Sequence, residues 1–450
     1  MVLPRSRSIS VAICRGPAMA DPGIDSIAAL QERTFGYFTR ETNPETGLVN
    51  DSTRPESPAS IAASGFSFAC HAVAADRGIV PRAQAAAQVA RALRFLWQGE
   101  QSDSPDATGS HGFFYHFLDS HTGRRVWRSE LSTVDSAILF AGALVAANYF
   151  DGPSEDERAI RELADALYRR ADWRWVVPRD AISHGWRPEQ GFLRFDWRGY
   201  NEALFVYILA LGSPTFAPDP SIYSAWTATY QWRSILGHEY LYAGPLFTHQ
   251  LSHVWIDFRD IQDEYMRAMK IDYFENSRRA TLVQQAYAER NPRRFKGYTS
   301  NSWGITASDG PGPFGEVVRQ GKRKFYGYRA RGVPFGPDDG TLAPWSLVAS
   351  LPFAPELVVP AMYHLNHSYP ELTGRYGYES SFNPTYGDGE NAGWVCEWHY
   401  AIDQGPVVLM VENYLTGLVW RTLRDSSYIR DGLRRAGFSG GWLGSEPVFR

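Results

Sequence analysis

Cysteine is almost missing from this sequence. Cys14, Cys70 and Cys396 are odd in number and far apart, which excludes a disulfide framework and a clustered zinc site as organising devices. Long apolar runs are missing too: stretches such as VVLMV at 407–411 are far too short to cross a bilayer, so no transmembrane segment is expected. Neither sign of charge dominates. With 45 Lys and Arg against 49 Asp and Glu the formal charge is −4, the two signs are interspersed, and no basic footprint for nucleic acid exists. There is no Walker loop, no glycine fingerprint following a strand and no GxSxG elbow, which removes phosphate, dinucleotide and serine-hydrolase chemistry. His249 and His253 stand four apart in GPLFTHQLSHVWIDFRD, but without an HExxH arrangement, so neither metal nor cofactor is expected.

What is present in excess is aromatic: 15 Trp, 24 Tyr and 25 Phe, 14% of the chain. Aromatic faces serve carbohydrate sites as platforms for the C–H side of sugar rings, although a large aromatic core accounts for the same composition. The chain has 450 residues and no low-complexity linker, so residues 24–450 read as one large domain. Residues 1–23 read as a disordered tail: MVLPRSRSISVAICRGPAMA puts arginines before a short apolar run, but Arg15, Gly16 and Pro17 break that run too early for a signal peptide. A cytoplasmic monomer is the resulting expectation, with the periplasm as the alternative compartment.

Apolar residues recur at three- and four-residue spacing near 24–40, 61–77, 81–97, 131–149, 154–171, 201–211, 220–228, 247–269, 276–290, 341–350, 355–367 and 405–423, predicting about twelve helices. Between them run long aromatic and glycine-rich connections at 42–59, 101–129, 172–200, 292–340 and 370–404, of the length that usually carries function. GFFYHFLDSHTGRRVW predicts a small β-hairpin turning around Ser120 to Gly123. Twelve helices with functional loops on one face describe an all-α (α/α)6 toroid. An open α-solenoid is the other architecture, but no fixed-period repeat supports it.

Acids at helix entrances are the chemical candidates. YNEALFVYILALGSP sets Glu202 at the head of an apolar helix, where either the helix dipole or catalysis accounts for it. Glu130 and Asp135 flank the start of RSELSTVDSAILFAGALVAANYF, in which Ser132 to Asp135 also matches a capping box. Glu397, His399 and Asp403 lie among Trp394, Trp398 and Tyr400 ahead of the 405–423 helix. The runs TSNSWGITASDGPGP and RGVPFGPDDGTLAPW offer Trp303, Asp309, Asp338 and Asp339 for a pocket rim, though Asp-Gly is also plain turn chemistry. Glycoside hydrolysis generally needs one protonated and one ionised carboxyl across the scissile bond.

ETNPETGLVNDS, SELSTVDSAILFAGAL, YNEALFVYILALGSP, GPLFTHQLSHVWIDFRDIQDEY, YFENSRRAT, NSWGITASDGPGP, PFGPDDGTLAP, SLPFAPE, SFNPTY and IDQGPVVLMVENYLTGL, in order from about Leu30 to Trp420, together resemble the bacterial glucoamylase-like family. The resemblance implies an (α/α)6 toroid and a glycoside hydrolase, and points to β-1,2-glucan as substrate, since characterised relatives look like endo-β-1,2-glucanases and a similar domain occurs in cyclic β-1,2-glucan synthases. It matches Glu202 to the catalytic acid, Asp135 and Glu130 to pocket acids, and Asp403 to an acid near the site. Asp135, Asp403 and Glu397 stay open as base or substrate ligand, an inverting mechanism is implied, and His253, Trp394, Trp398, Asp339 and Trp303 are candidate substrate contacts. Glu397 and His399 lie in CEWHYAIDQGP, where the family varies. A transglycosylase, a hydrolase of another glucan and a non-catalytic carbohydrate-binding toroid are the alternatives.

Overall fold

The computed structural model describes residues 22–313, 317–387 and 393–444; the tail expected over 1–23 lies outside them except for its last two residues, which open the first helix. Among the described residues the helices are α1 (Pro22–Phe35), α2 (Tyr37–Arg40), α3 (Ile61–Asp76), α4 (Arg82–Gln98), α5 (Thr133–Tyr149), α6 (Glu155–Arg170), α7 (Leu204–Gly212), α8 (Ser221–Thr227), α9 (Leu251–Trp255), α10 (Glu264–Met269), α11 (Tyr273–Arg290), α12 (Pro344–Val348), α13 (Pro355–Ser368), α14 (Ala401–Leu415), α15 (Leu418–Arg424) and α16 (Ser427–Arg435).

Burial sorts them into two layers. Helices α3, α5, α7, α9, α12 and α14 are buried on nearly every side, as an apolar helix without a polar stripe must be. Around them sit amphipathic helices such as α6, whose Ile160, Ala164, Leu167 and Tyr168 face inward while its charged residues face water. The inner helices close on one another: α14 packs on α3, α3 on α5, α5 on α7, α7 on α9, and both α9 and α12 on α14. Outside, α4 covers α3, α6 covers α5, α16 covers α7, and α1 covers α14. This is the (α/α)6 toroid expected from the helix count.

Several boundaries differ from the periodicity. The expected 247–269 helix is a 3-10 turn at Leu246–His249, then α9, an extended stretch, and α10, which restarts where the Asp263 carboxylate accepts from Met266 N at 2.8 Å. The expected 405–423 helix begins earlier, at Ala401, and breaks at Gly417, whose φ of 73° favours glycine. The Gly-Pro pair at 405–406 hid this earlier start, and α16 was not anticipated. The expected hairpin forms, with Asp119 N on Arg124 O at 2.8 Å, Leu118 bridging Arg125 and Val126 N on Phe117 O at 3.1 Å, and the arm Phe117–Leu118 also pairs with Ala59–Ser60. Unforeseen hairpins pair Trp232–Ile235 with His238–Leu241 and Val317–Gln320 with Arg323–Tyr326.

The closest inner contact joins α3 and α5 through two glycines. A Cβ on Gly142 would lie 1.9 Å from the Gly65 carbonyl oxygen, and a Cβ on Gly65 would lie 2.6 Å from the Ile138 carbonyl oxygen. Backbone, not a flexible side chain, occupies that space. Gly142→Ala is therefore expected to destabilise by about 3 kcal/mol, seen as a lower Tm and a lower denaturant midpoint; an unchanged midpoint would refute the close packing.

Candidate active site

The inner helices bring their N-terminal ends to one face, and the acids gather there. Ser132 caps α5 by accepting from Asp135 N at 3.3 Å, as the sequence suggests, but Asp135 does not complete a reciprocal box. Its carboxylate instead takes the Ser132 hydroxyl at 2.5 Å. His116, on the loop before α5, lies between two carboxylates: Nδ1 is 3.1 Å from Glu130 and Nε2 is 3.6 Å from Asp135. Burial alone would discharge this imidazole, but Asp135, Glu130 and Asp51 outweigh burial and lift its pKa to about 9. Glu130 is the counterpart: burial pushes it up, while the hydrogen bond and charge of His116, with Arg187 at 3.4 Å, bring it down to about 2.

Glu202 does not occupy the first helical turn. Helix α7 starts at Leu204, and Glu202 sits in the turn before it, where Asn201 Oδ1 takes the Ala203 N–H at 2.9 Å. The Ser252 hydroxyl on α9 donates to the Glu202 carbonyl at 2.9 Å and accepts from Phe205 N at 3.2 Å, so α9 fixes this turn. A carboxylate held by a helix dipole would have a lowered pKa. Glu202 goes the other way, to about 7, first through burial and then through the negative charge of Asp135. It is therefore still about half protonated at pH 7.

Asp403 is in the first turn of α14, 5% exposed. Burial, together with the charges of Asp309 and Asp51, raises its pKa well above the usual carboxylate range. Asp309 accepts from Arg54 at 2.7 Å and from the Tyr400 hydroxyl. Asp51 is raised to about 6, by burial first and by Asp135 and Asp309, against the lowering charges of His116 and Arg54. Tyr328 reports how these acids lie: burial around its hydroxyl, and then Asp403, Glu202, Asp309 and Asp51, all raise its pKa. All four acids thus lie within electrostatic reach of one phenol.

Three expected contacts, His253, Trp303 and Asp339, lie in the core. His253 is 1% exposed, with Nε2 on the Ser277 hydroxyl at 3.0 Å and its ring against Phe258 and Phe353, so it is a core histidine that substrate cannot reach. Trp303 is likewise buried in the core. Asp339 forms a fully buried pair with Arg331, at 2.7 and 2.8 Å, and Arg331 also donates to the carbonyls of Ser308, Tyr326 and Gly327; the pair clamps the loop that carries Tyr328. Glu397 is exposed, while Trp394 and Trp398 are half-buried on the same segment. Asp338, offered for the rim, accepts from Tyr298 at 2.6 Å and Tyr287 at 2.9 Å inside the fold.

Sequence reasoning passed over Asp51, Arg54, His116 and Tyr328. Asp51 was within reach, because it closes the ETNPETGLVNDS motif. A separate cavity of about 280 Å³, lined by Phe38, His71, Gln88 and Arg91, has no acid in its wall and takes no part in this cluster.

The raised pKa of Glu202 has a stability consequence. At pH 4 the carboxyl is protonated in both folded and unfolded chains. As pH climbs, the unfolded chain ionises first, so folding loses up to about 3 kcal/mol, fully so above about pH 7. Glu202→Gln is expected to raise Tm at pH 8 and to leave it nearly unchanged at pH 4; equal effects at both values would contradict the assignment.

The family model described as "Putative glucoamylase" matches residues 194–427. A Bacteroides uniformis protein solved under the same description is 31% identical, with a TM-score of 0.83 over 94% of this chain and 99% of that one. The endo-β-1,2-glucanase of Chitinophaga pinensis, solved with sophorotriose and glucose, is 27% identical with a TM-score of 0.81, covering 93% of this chain and 99% of that one. An exo β-1,2-glucooligosaccharide sophorohydrolase of Parabacteroides distasonis is 26% identical over 443 residues, covering 90% of this chain; the chain spans 57% of that relative's length. With the toroid, the acid-lined end and these matches in agreement, the chain belongs to the glucoamylase-like family.

Proposed function

We propose that residues 24–450 act as a single catalytic domain that hydrolyses β-1,2-linked glucan or its oligosaccharides. The observation that carries this reading is a carboxyl whose pKa is raised to about 7, Glu202, near the charge of Asp135 in a family whose named relatives act on β-1,2-glucan. Glu202 donates its proton to the glycosidic oxygen as the C–O bond breaks. A water molecule attacks the anomeric carbon from the opposite face, and a carboxylate of the cluster in its ionised form takes up the proton that water releases, directly or through a substrate hydroxyl, with Asp135 and Asp403 the candidates for that base. Asp135 keeps a negative charge near Glu202 and so holds the donor protonated, while His116 and Arg54 offset the accumulated negative charge. Single displacement inverts the configuration at the anomeric carbon.

The test is incubation of purified protein with linear β-1,2-glucan, with products separated by size and their initial anomer read by NMR. Sophorose-type oligosaccharides carrying the inverted anomer are expected. Absence of products beside an active relative would reject the reading. Glu202→Gln is expected to lower kcat by about 10²–10⁴-fold with the fold retained. The native rate is expected to fall tenfold per pH unit above about pH 7, as Glu202 loses its proton; a rate still rising at pH 9 would reassign the donor.

A further inference from the structure

The loop between His116 and Glu130 carries a strained turn that the proposed reaction does not use. Trp127 and Arg128 both have positive φ, 55° and 48°, and Ser129 N donates to Val126 O at 3.0 Å. Two consecutive left-handed residues inside such a hydrogen bond make a turn of the type I′ kind, whose centre normally holds Asn and Gly. A tryptophan there is a genuine outlier, and such conformations persist only where the surroundings over-determine them. They do so here. Arg125, buried, donates to Ser129 O at 2.5 Å and grips Glu189 with two hydrogen bonds at 2.7 and 3.1 Å. Val126 N donates to Phe117 O at 3.1 Å, and the Ser129 hydroxyl bonds the Phe117 backbone at 3.3 Å.

The result is an indole presented to solvent, 68% exposed. Its edge meets Phe117 at 5.2 Å, Phe117 stacks on His116 at 3.8 Å, and His116 touches Glu130 and Asp135. A ladder of rings therefore runs from the acid cluster to the exposed indole. Arg128, also exposed, and the Glu189 carboxylate beside it supply a donor and an acceptor for hydroxyl groups.

We infer that Trp127 is a distal sugar-binding platform that stacks on a glucose unit of a β-linked chain whose scissile bond lies at the acid cluster, and so sets the preference for longer substrates. The inference rests on the proposed site of cleavage. Pyranose rings offer a C–H face that suits an indole, and strain stored to hold an aromatic in water is accounted for by a ligand that covers it.

Kinetics on β-1,2-gluco-oligosaccharides of increasing length, alongside the polymer, test it. Trp127→Ala is expected to raise KM for long chains about five- to tenfold with kcat held, while substrates too short to reach the indole change less than twofold. Trp127→Phe is expected to recover most of the loss. The double substitution Trp127→Asn with Arg128→Gly relieves the turn: it is expected to melt at a higher temperature than the native protein while showing the same rise in KM. A uniform loss at every length, or no rise in KM in the double variant, overturns the platform. Calorimetric binding of the longest soluble oligosaccharide to Glu202→Gln protein, with and without Trp127→Ala, separates the two readings. Binding that depends on Trp127, while the native protein cuts no glucan, would reject the hydrolase and keep the platform. Cleavage whose length preference ignores Trp127 would do the reverse.

Discussion

Everything in this fold depends on one constraint: the inner helices are buried on nearly every side, so the few polar groups along their length, such as Ser252 and Glu412, are bonded inside the fold. α7, buried from Leu204 to Gly212, is the extreme case. A helix of this kind must be wrapped by neighbours, which produces the second layer, and it can meet water only at its ends. The long loops and the reactive acids therefore collect at the entrances of α3, α5, α7 and α14. Backbone contact between Gly65 and Gly142 shows how tightly the ring is drawn, and that tightness gives the acids a rigid base.

Crowding carboxyls at one end raises a cost that the structure meets unevenly. His116 is held cationic by its two acid neighbours, and Arg54 reaches Asp309 from a half-exposed position. These cations do not balance the whole group, and burial with the remaining negative charge pushes the pKa values of Glu202 and Asp403 up. The proton that the proposed mechanism assigns to Glu202 is favoured by the same electrostatics, since burial and neighbouring charge make its ionisation costly. The raised pKa of Glu202 marks the point where stability has been given up for reactivity.

Helix periodicity pointed to the helical layers because apolar spacing is local, and Glu202, Asp135 and Asp403 stood out as candidates because each stands beside a strongly apolar run. Other features were not legible because their meaning is not local. His116 looks like one more polar residue in an aromatic loop until the fold sets Glu130 and Asp135 on either side of it. Asp339 and Trp303 sit in glycine-rich segments that resemble site loops, yet the first is spent on Arg331 and the second on the core; burial decides this, and spacing does not report it. The start of α14 was hidden by Gly405 and Pro406, residues that break helices in isolation but are carried here by packing, with Phe66 of α3 filling the space where a Cβ on Gly405 would go.

The seam between the first and last thirds of the chain has a further meaning. Ala401 N donates to Asp51 O at 2.9 Å, Thr53 and His399 exchange two backbone-centred hydrogen bonds at 3.0 Å, and Arg54 reaches across to Asp309. Segments some 350 positions apart in sequence are the two lips of one wall. A ribosome making this chain releases Asp51, Asp135 and Glu202 long before Asp403, so the growing polypeptide carries most of its reactive groups without the wall that confines them. The ring becomes a vessel only when its last inner stave is seated, and any fragment ending before α14 is an open arc.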